Sequence, residues 1–147
     1  MLRDVVHRGT ATVVRQWLPD SIPVAGKTGT TDDNTDVWFV GMTPEIVTGV
    51  WLGFDKPRAI TSAAVGGTLA APIFARTVQV LYKDRPAAPW LPPAGVVPVL
   101  FDRATGSPAR AETPLESLYT EYFLDGTEPE PLRTMRRALR AATALVP

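Results

Sequence analysis

The sequence predicts an α+β fold: a three-stranded antiparallel meander with flanking helices, then a proline-rich tail holding a hairpin and a short helix. Three observations carry this. The strand-like runs Ile22–Thr30, Val37–Met42 and Ile46–Phe54 are joined by connectors too short and polar for crossover helices, so neighbouring strands must pair antiparallel. Helix-like stretches stand on either side of them, at Leu2–Trp17 and Thr68–Lys83. Of the 15 prolines, 10 lie from Pro86 onward, which sets a proline-rich extension, residues 86–147, apart from residues 1–85.

Taken in order, Leu2–Trp17 places Leu2, Val5, Val6, Val13 and Val14 at the spacing of one helical face, and Gly9-Thr10 is expected to bend or interrupt it. Pro19-Asp20-Ser21 ends the helix. Val37 to Val40 is apolar at every position, which predicts a strand covered on both faces, with Trp38 and Trp51 in the core. Asp32, Asp33 and Asp36 lack the glycine and distal glutamate of an EF-hand, so this connector reads as a polar turn with an Asx cap. In Thr68–Lys83, Pro72 fits only the first turn, and Ile73, Thr77, Val80 and Leu81 form a stripe at helical spacing.

In the tail, Val96–Phe101 leads into the turn Asp102–Gly106, and Pro98 confines that strand to an edge or a bulge. Leu132–Leu145 reads as a short helix. Leu132, Met135, Leu139 and Ala142 fall on one side, and Arg133, Arg136, Arg137 and Arg140 on the other. The arginine side is a solvated face or a membrane-touching one; the run is short and has no aromatic anchor, which favours the former.

Composition narrows the function classes. A chain of 147 residues can hold one domain with a modest core. Fifteen basic and 15 acidic residues cancel, giving no case for nucleic acid or an anionic membrane surface. Cysteine is absent, which excludes disulfides and thiolate metal sites. His7 is the single histidine and has no second imidazole or cysteine beside it, so it reads as a surface or core-edge residue. Neither a metal nor a cofactor is expected. No apolar run approaches ~20 residues, and Met1-Leu2-Arg3-Asp4 does not open a signal peptide, so neither a span nor an export signal is expected in this chain.

The chemistry concentrates in Val24–Thr31, VAGKTGTT. Lys27, Thr28 and Gly29 set a cation, a hydroxyl and a bare backbone N–H side by side, a group suited to holding a carboxylate and a developing oxyanion. A phosphate loop competes for the same residues. Gly26-Lys27-Thr28 matches the end of the Walker A pattern, but that pattern needs glycine at the position of Ser21 and a helix after the lysine. Turn formers and then a strand follow instead.

The flanks carry a resemblance. Val24–Thr31, Asp36-Val37-Trp38-Phe39-Val40-Gly41-Met42-Thr43-Pro44 and Thr48-Gly49-Val50-Trp51-Leu52-Gly53-Phe54-Asp55 follow one another in this order. With Arg8-Gly9-Thr10-Ala11 upstream, and Gly66-Gly67, Ala70-Ala71-Pro72-Ile73-Phe74 and Tyr122–Pro129 downstream, the chain resembles the C-terminal portion of the transpeptidase domain of a class A (bifunctional) penicillin-binding protein. Met42 stands where the family often has an aromatic. The resemblance implies part of the β-lactamase/transpeptidase-like fold.

It also implies chemistry. The family cross-links peptidoglycan by serine acyl transfer, and β-lactams trap the same serine. Lys27 would supply positive charge near the substrate carboxylate, and Thr28 would donate its hydroxyl to it. Gly29 would let the substrate backbone come close. The Thr30 N–H would form half of an oxyanion hole, with Thr31 completing the binding strand. Catalytic roles would fall to Lys27 and Thr30, and substrate binding to Lys27–Thr31.

The family's Ser-x-x-Lys and Ser-x-Asn motifs are missing, however. Three places after Ser21, Ser62, Ser107 and Ser117 stand Val24, Val65, Arg110 and Thr120; two places after them stand Pro23, Ala64, Ala109 and Tyr119. No acyl transfer is therefore expected from this chain alone. Partners implied for the intact family protein are peptidoglycan stem peptides and β-lactams, in the periplasm at an inner-membrane anchor. A non-catalytic interaction module on the same scaffold is the alternative, and an unrelated small binding domain the third. Lys27–Thr30 should lie on an open sheet edge. The opposite edge, Ile46–Phe54, would lack the two further strands of the family sheet, so self-association through it is expected.

Overall fold

The computed structural model describes residues 1–143, with the backbone alone for 137–143. The chain folds as a first compact unit, Met1–Trp90, and a second that begins at Leu91. The class is α+β, as the sequence predicts.

The helix expected over Leu2–Trp17 is interrupted where Gly9-Thr10 stand. Helix α1, Leu2–His7, stops there, and a 3-10 turn, Thr12–Gln16, follows. Between them the chain folds back, so that the Ala11 N–H donates to the Val5 carbonyl at 3.0 Å. Val6, Ala11 and Val14 are thereby sunk together into the core.

Strands β1 (Ala25–Thr30), β2 (Val37–Met42) and β3 (Val47–Leu52) form an antiparallel meander in that order. The pairs run Lys27 to Val40 and Gly29 to Trp38, then Trp38 to Trp51 and Phe39 to Val50. One face is the core: Val37 and Phe39 are fully buried, with Val50 and Leu52 packed against the cluster. The opposite face is open. Trp38 and Trp51 are each 45% exposed, Val40 is 40% and Val47 is 70%. This corrects the expectation of a strand covered on both faces with two core tryptophans. The rings instead pair with each other on the open face, centroids 6.2 Å apart, and the Trp51 Nε1–H donates to Asp36 Oδ1 at 2.9 Å.

Helix α2 spans Ala70–Leu81, with Pro72 in its first turn. It buries Ala70, Ala71, Phe74, Ala75 and Val78, and Phe74 meets Phe39 edge-on at 5.1 Å. The stripe of Ile73, Thr77, Val80 and Leu81 is the wrong face: all four are exposed, Val80 at 73%. Small alanines let the helix lie close to the sheet, so the buried face is poorer in bulk than the exposed one. At its end the Tyr82 hydroxyl donates to Glu45 Oε2 at 2.8 Å. That uses the phenol's only proton, so Thr43 Oγ1, 2.8 Å away, donates to Tyr82.

The second unit is built on β4 (Val96–Asp102), flanked by β5 (Ser107–Pro108) and β6 (Leu118–Leu124). The expected hairpin exists, but β5 pairs only with Phe101 and Asp102, whereas β6, which the sequence reading did not place, pairs along all of β4. Pro98 lies beyond the reach of β5, where β4 is locally an edge, as its missing N–H requires. Phe101 is buried against Tyr119 and Phe123, at 5.9 and 5.8 Å.

Helix α3 covers Glu130–Thr143; the expected end at Leu145 lies outside the described residues, as do the side chains of Arg137, Leu139, Arg140 and Ala142. Its described arginines are not a free solvated face. Arg136 Nη1 donates to the buried Glu128 carboxylate at 3.1 Å, and Arg133 pairs with Glu130. Met135, assigned to the apolar side, is 61% exposed. No helix among the described residues is long and apolar enough to cross a membrane.

Candidate substrate-binding edge

Strand β1 is an edge of its sheet, and among the described residues no strand lies beyond it. The direction of its backbone groups follows from the register. The Thr31 N–H donates to the Asp36 carbonyl at 3.1 Å, so Thr31–Asp36 is a hydrogen-bonded pair. Antiparallel pairs alternate, which makes Gly29–Trp38 and Lys27–Val40 bonded, and Thr28–Phe39 and Thr30–Val37 unbonded. The N–H and C=O groups of Thr28 and Thr30 therefore project off the open edge. An extended ligand laid along β1 would find the two outward N–H groups and the Thr30 carbonyl at the spacing of a strand, with the Thr28 carbonyl held by Lys27.

Side chains alternate across the same strand. Lys27 and Gly29 lie on the open face with Val40, Trp38 and Trp51. The Lys27 ammonium, exposed, folds over the edge and donates to the Thr28 carbonyl at 2.8 Å. That places a positive charge beside the projecting groups. A Cβ at Gly29 would stand 3.2 Å from the Trp38 Cβ, so the bare position relieves crowding within the sheet as well as leaving room above it.

Thr28 and Thr30 turn to the core side, and both hydroxyls are engaged there. Thr28 Oγ1 lies 2.9 Å from Thr10 Oγ1, and Thr30 Oγ1 accepts the Gly66 N–H at 3.1 Å. Gly66-Gly67 runs against the back of the strand. A Cβ at Gly66 would collide with the Trp38 carbonyl oxygen and stand 2.8 Å from that of Gly29; one at Gly67 would collide with the Thr10 carbonyl oxygen. Only a pair of glycines lets the segment come this close.

Thr31 has a different task. Its hydroxyl accepts the N–H groups of Thr35 and Asp36 at 3.1 and 3.0 Å and so caps the β1–β2 turn, with Asn34 at φ 51°. The cap is a threonine, not the expected aspartate. Of the five residues singled out in the sequence, Lys27, Thr28, Gly29 and Thr30 are brought together on the edge, and Thr31 is spent on the turn beside it. The phosphate-loop alternative is overturned, because Lys27 lies in mid-strand with no helix after it. Thr10 and Gly66 are the neighbours that residue chemistry did not single out; the glycine doublet was the available signal for one, and nothing local marks the other.

Elsewhere the described residues hold no rival arrangement. Among the described residues no three His, Cys, Asp or Glu side chains converge as metal ligands would. His7 is exposed, and partial burial and then Arg15 lower its pKa from the ordinary histidine value. In the second unit a cleft of about 370 Å³ lies beside Asp102, Arg110 and Glu112, but Asp102 is occupied by the Ala104 N–H and the Thr105 hydroxyl.

Comparison with known proteins adds three findings. Residues 92–134 match the family model described as penicillin-binding protein 1A, C-terminal domain. The chain is 40% identical over 129 residues to penicillin-binding protein 1A of Pseudomonas aeruginosa, a match covering 88% of this chain and 15% of that protein. It is 44% identical over 101 residues to penicillin-binding protein 1A of Neisseria flavescens, covering 66% of this chain and 12% of the relative. The chain thus spans less than a sixth of the length of these curated relatives. Among solved structures, penicillin-binding protein 1A from Haemophilus influenzae superposes with a TM-score of 0.72 at 26% identity, over 87% of this chain and 19% of that one.

Proposed function

Because the chain belongs to the class A penicillin-binding proteins and corresponds to their C-terminal part, we propose that it supplies one wall of a D,D-transpeptidase active site, the edge on which a peptidoglycan stem peptide or a β-lactam is aligned. Residues 1–85 are the transpeptidase portion of this reading and residues 86–147 a C-terminal extension. The observation that carries it is the open edge of β1, where the outward N–H groups of Thr28 and Thr30 stand beside the Lys27 ammonium.

In this reading the Lys27 charge and the Thr28 hydroxyl receive the substrate carboxylate. The Thr30 N–H donates to the carbonyl oxygen as it becomes an oxyanion, an interaction whose loss typically costs ~2.7–4 kcal/mol in the transition state. The serine nucleophile, and the N–H that would complete the oxyanion hole, come from sequence outside these 147 residues. The working compartment is the periplasm, where the substrate lies. The apolar open face around Trp38 and Trp51, next to Lys27, suits a second wall of protein better than it suits water.

The test is a titration of the isotope-labelled chain with an acetylated peptide ending in D-alanyl-D-alanine, read on backbone amides. Perturbation should centre on Lys27–Thr31 and be lost in Lys27→Ala. Binding elsewhere, or none, refutes the reading. A fluorescent penicillin should leave no stoichiometric covalent adduct; an adduct on any of Ser21, Ser62, Ser107 or Ser117 would show that the chain carries its own nucleophile.

A further inference from the structure

We propose that Thr10 is a positioning residue for carboxylate binding: its hydroxyl donates to Thr28 Oγ1 and so turns the Thr28 proton outward, toward the ligand. The inference rests on the reading of Lys27–Thr31 as the carboxylate-binding edge. It assigns a role to a residue 18 positions away in sequence.

The argument is one of proton count. The two hydroxyl oxygens are 2.9 Å apart, so one proton must lie between them, and either residue can provide it. If Thr28 donates to Thr10, Thr28 presents only lone pairs to an incoming carboxylate, and they repel it. If Thr10 donates, the Thr28 proton is free to point outward. An anion at the edge selects the second arrangement, and each bond in the resulting chain strengthens the next.

Thr10 is placed to serve. No other partner of its hydroxyl is found among the described residues. Its backbone is fixed from two sides: Ala11 is fully buried with its N–H on the Val5 carbonyl, and Gly67 lies so close to the Thr10 carbonyl that no Cβ fits between them. Gly67 also approaches the Thr28 methyl, its Cβ position 3.8 Å from Cγ2.

Thr10→Val removes the donor at nearly constant volume, and Thr10→Ser restores it. The same amide-detected titration compares the D-alanyl-D-alanine peptide with its C-terminal amide, which has no carboxylate. Thr10→Val should weaken the acid about 3- to 10-fold, the scale of one hydrogen bond, and leave the amide unchanged. Thr10→Ser should bind the acid like wild type. If the valine variant does not give a dispersed native spectrum, Thr10→Ala is used in its place. Equal loss for acid and amide, or no loss for either, overturns the positioning role while the edge reading stands. If the wild-type chain does not bind the acid at Lys27–Thr31, the edge reading itself falls, and the role of Thr10 falls with it.

Discussion

At Gly66 a single missing methyl decides how the site is backed. The Gly66 N–H holds Thr30 Oγ1, and a Cβ there would drive into the Trp38 and Gly29 carbonyls. Gly66→Ala should destabilise the first unit by ~1–3 kcal/mol, the usual cost of forcing extra volume into a packed region, and urea unfolding would measure it. It should also shift the Gly29 and Thr30 amide resonances, which a remote packing defect would leave alone.

Glu45 is a second residue with a readable consequence. The Tyr82 hydroxyl, then the Ala88 N–H, and more weakly Arg85, hold its pKa below the ordinary 4.5, against a small opposing effect of burial. The unfolded chain takes up this proton first. The stabilisation is therefore complete above the ordinary value and fades as pH falls through the lowered one. Glu45→Gln should flatten the loss of stability between pH 5 and pH 3 that wild type shows, as followed by denaturant midpoints across that range. Lys27, Thr28, Gly29 and Thr30 were legible because their chemistry is local. Glu45 was not, since its partners lie 37 to 43 residues away and only the folded chain brings them near.

Among the elements, the strands of the meander were legible to within three residues at their ends, with β2 matching its expected bounds, and their order followed from connector length. The faces were harder to read. In α2 the large residues Ile73, Val80 and Leu81 suggested the buried stripe, yet the helix buries Ala70, Ala71 and Ala75 with Phe74 and Val78, and Phe74 already fills the space against Gly41 and Phe39. Val80→Lys should accordingly change stability by no more than about 0.5 kcal/mol. Ala75→Leu, conservative by hydropathy, should cost ~1–3 kcal/mol. A reversal of that order in urea midpoints would mean the helix is rotated from the position described. Strand β6 escaped the sequence reading because Thr120 and Glu121 interrupt its apolar pattern, and its pairing with β4 is a long-range event.

Taken whole, the described residues present several strand edges with no strand beyond them, and they are not equally guarded. On β1 the Lys27 ammonium sits on the Thr28 carbonyl, and on β4 Pro98 withholds a donor. The outer side of β3 has neither device: Val47 and Trp51 stand exposed, and nothing lies within 4 Å of the Cβ position of Gly49. Self-association should run through this strand. Sedimentation of wild type against Val47→Lys checks it, with the variant expected to move toward monomer at equal concentration. The bare β3 edge also has a colloidal consequence. With 15 positive and 15 negative side chains and an isoelectric point near 6.6, copies of this chain meet at neutral pH without mutual repulsion. Solubility should therefore pass through a minimum close to pH 6.6, and a single lysine on β3 should move that minimum upward in pH as well as raise it.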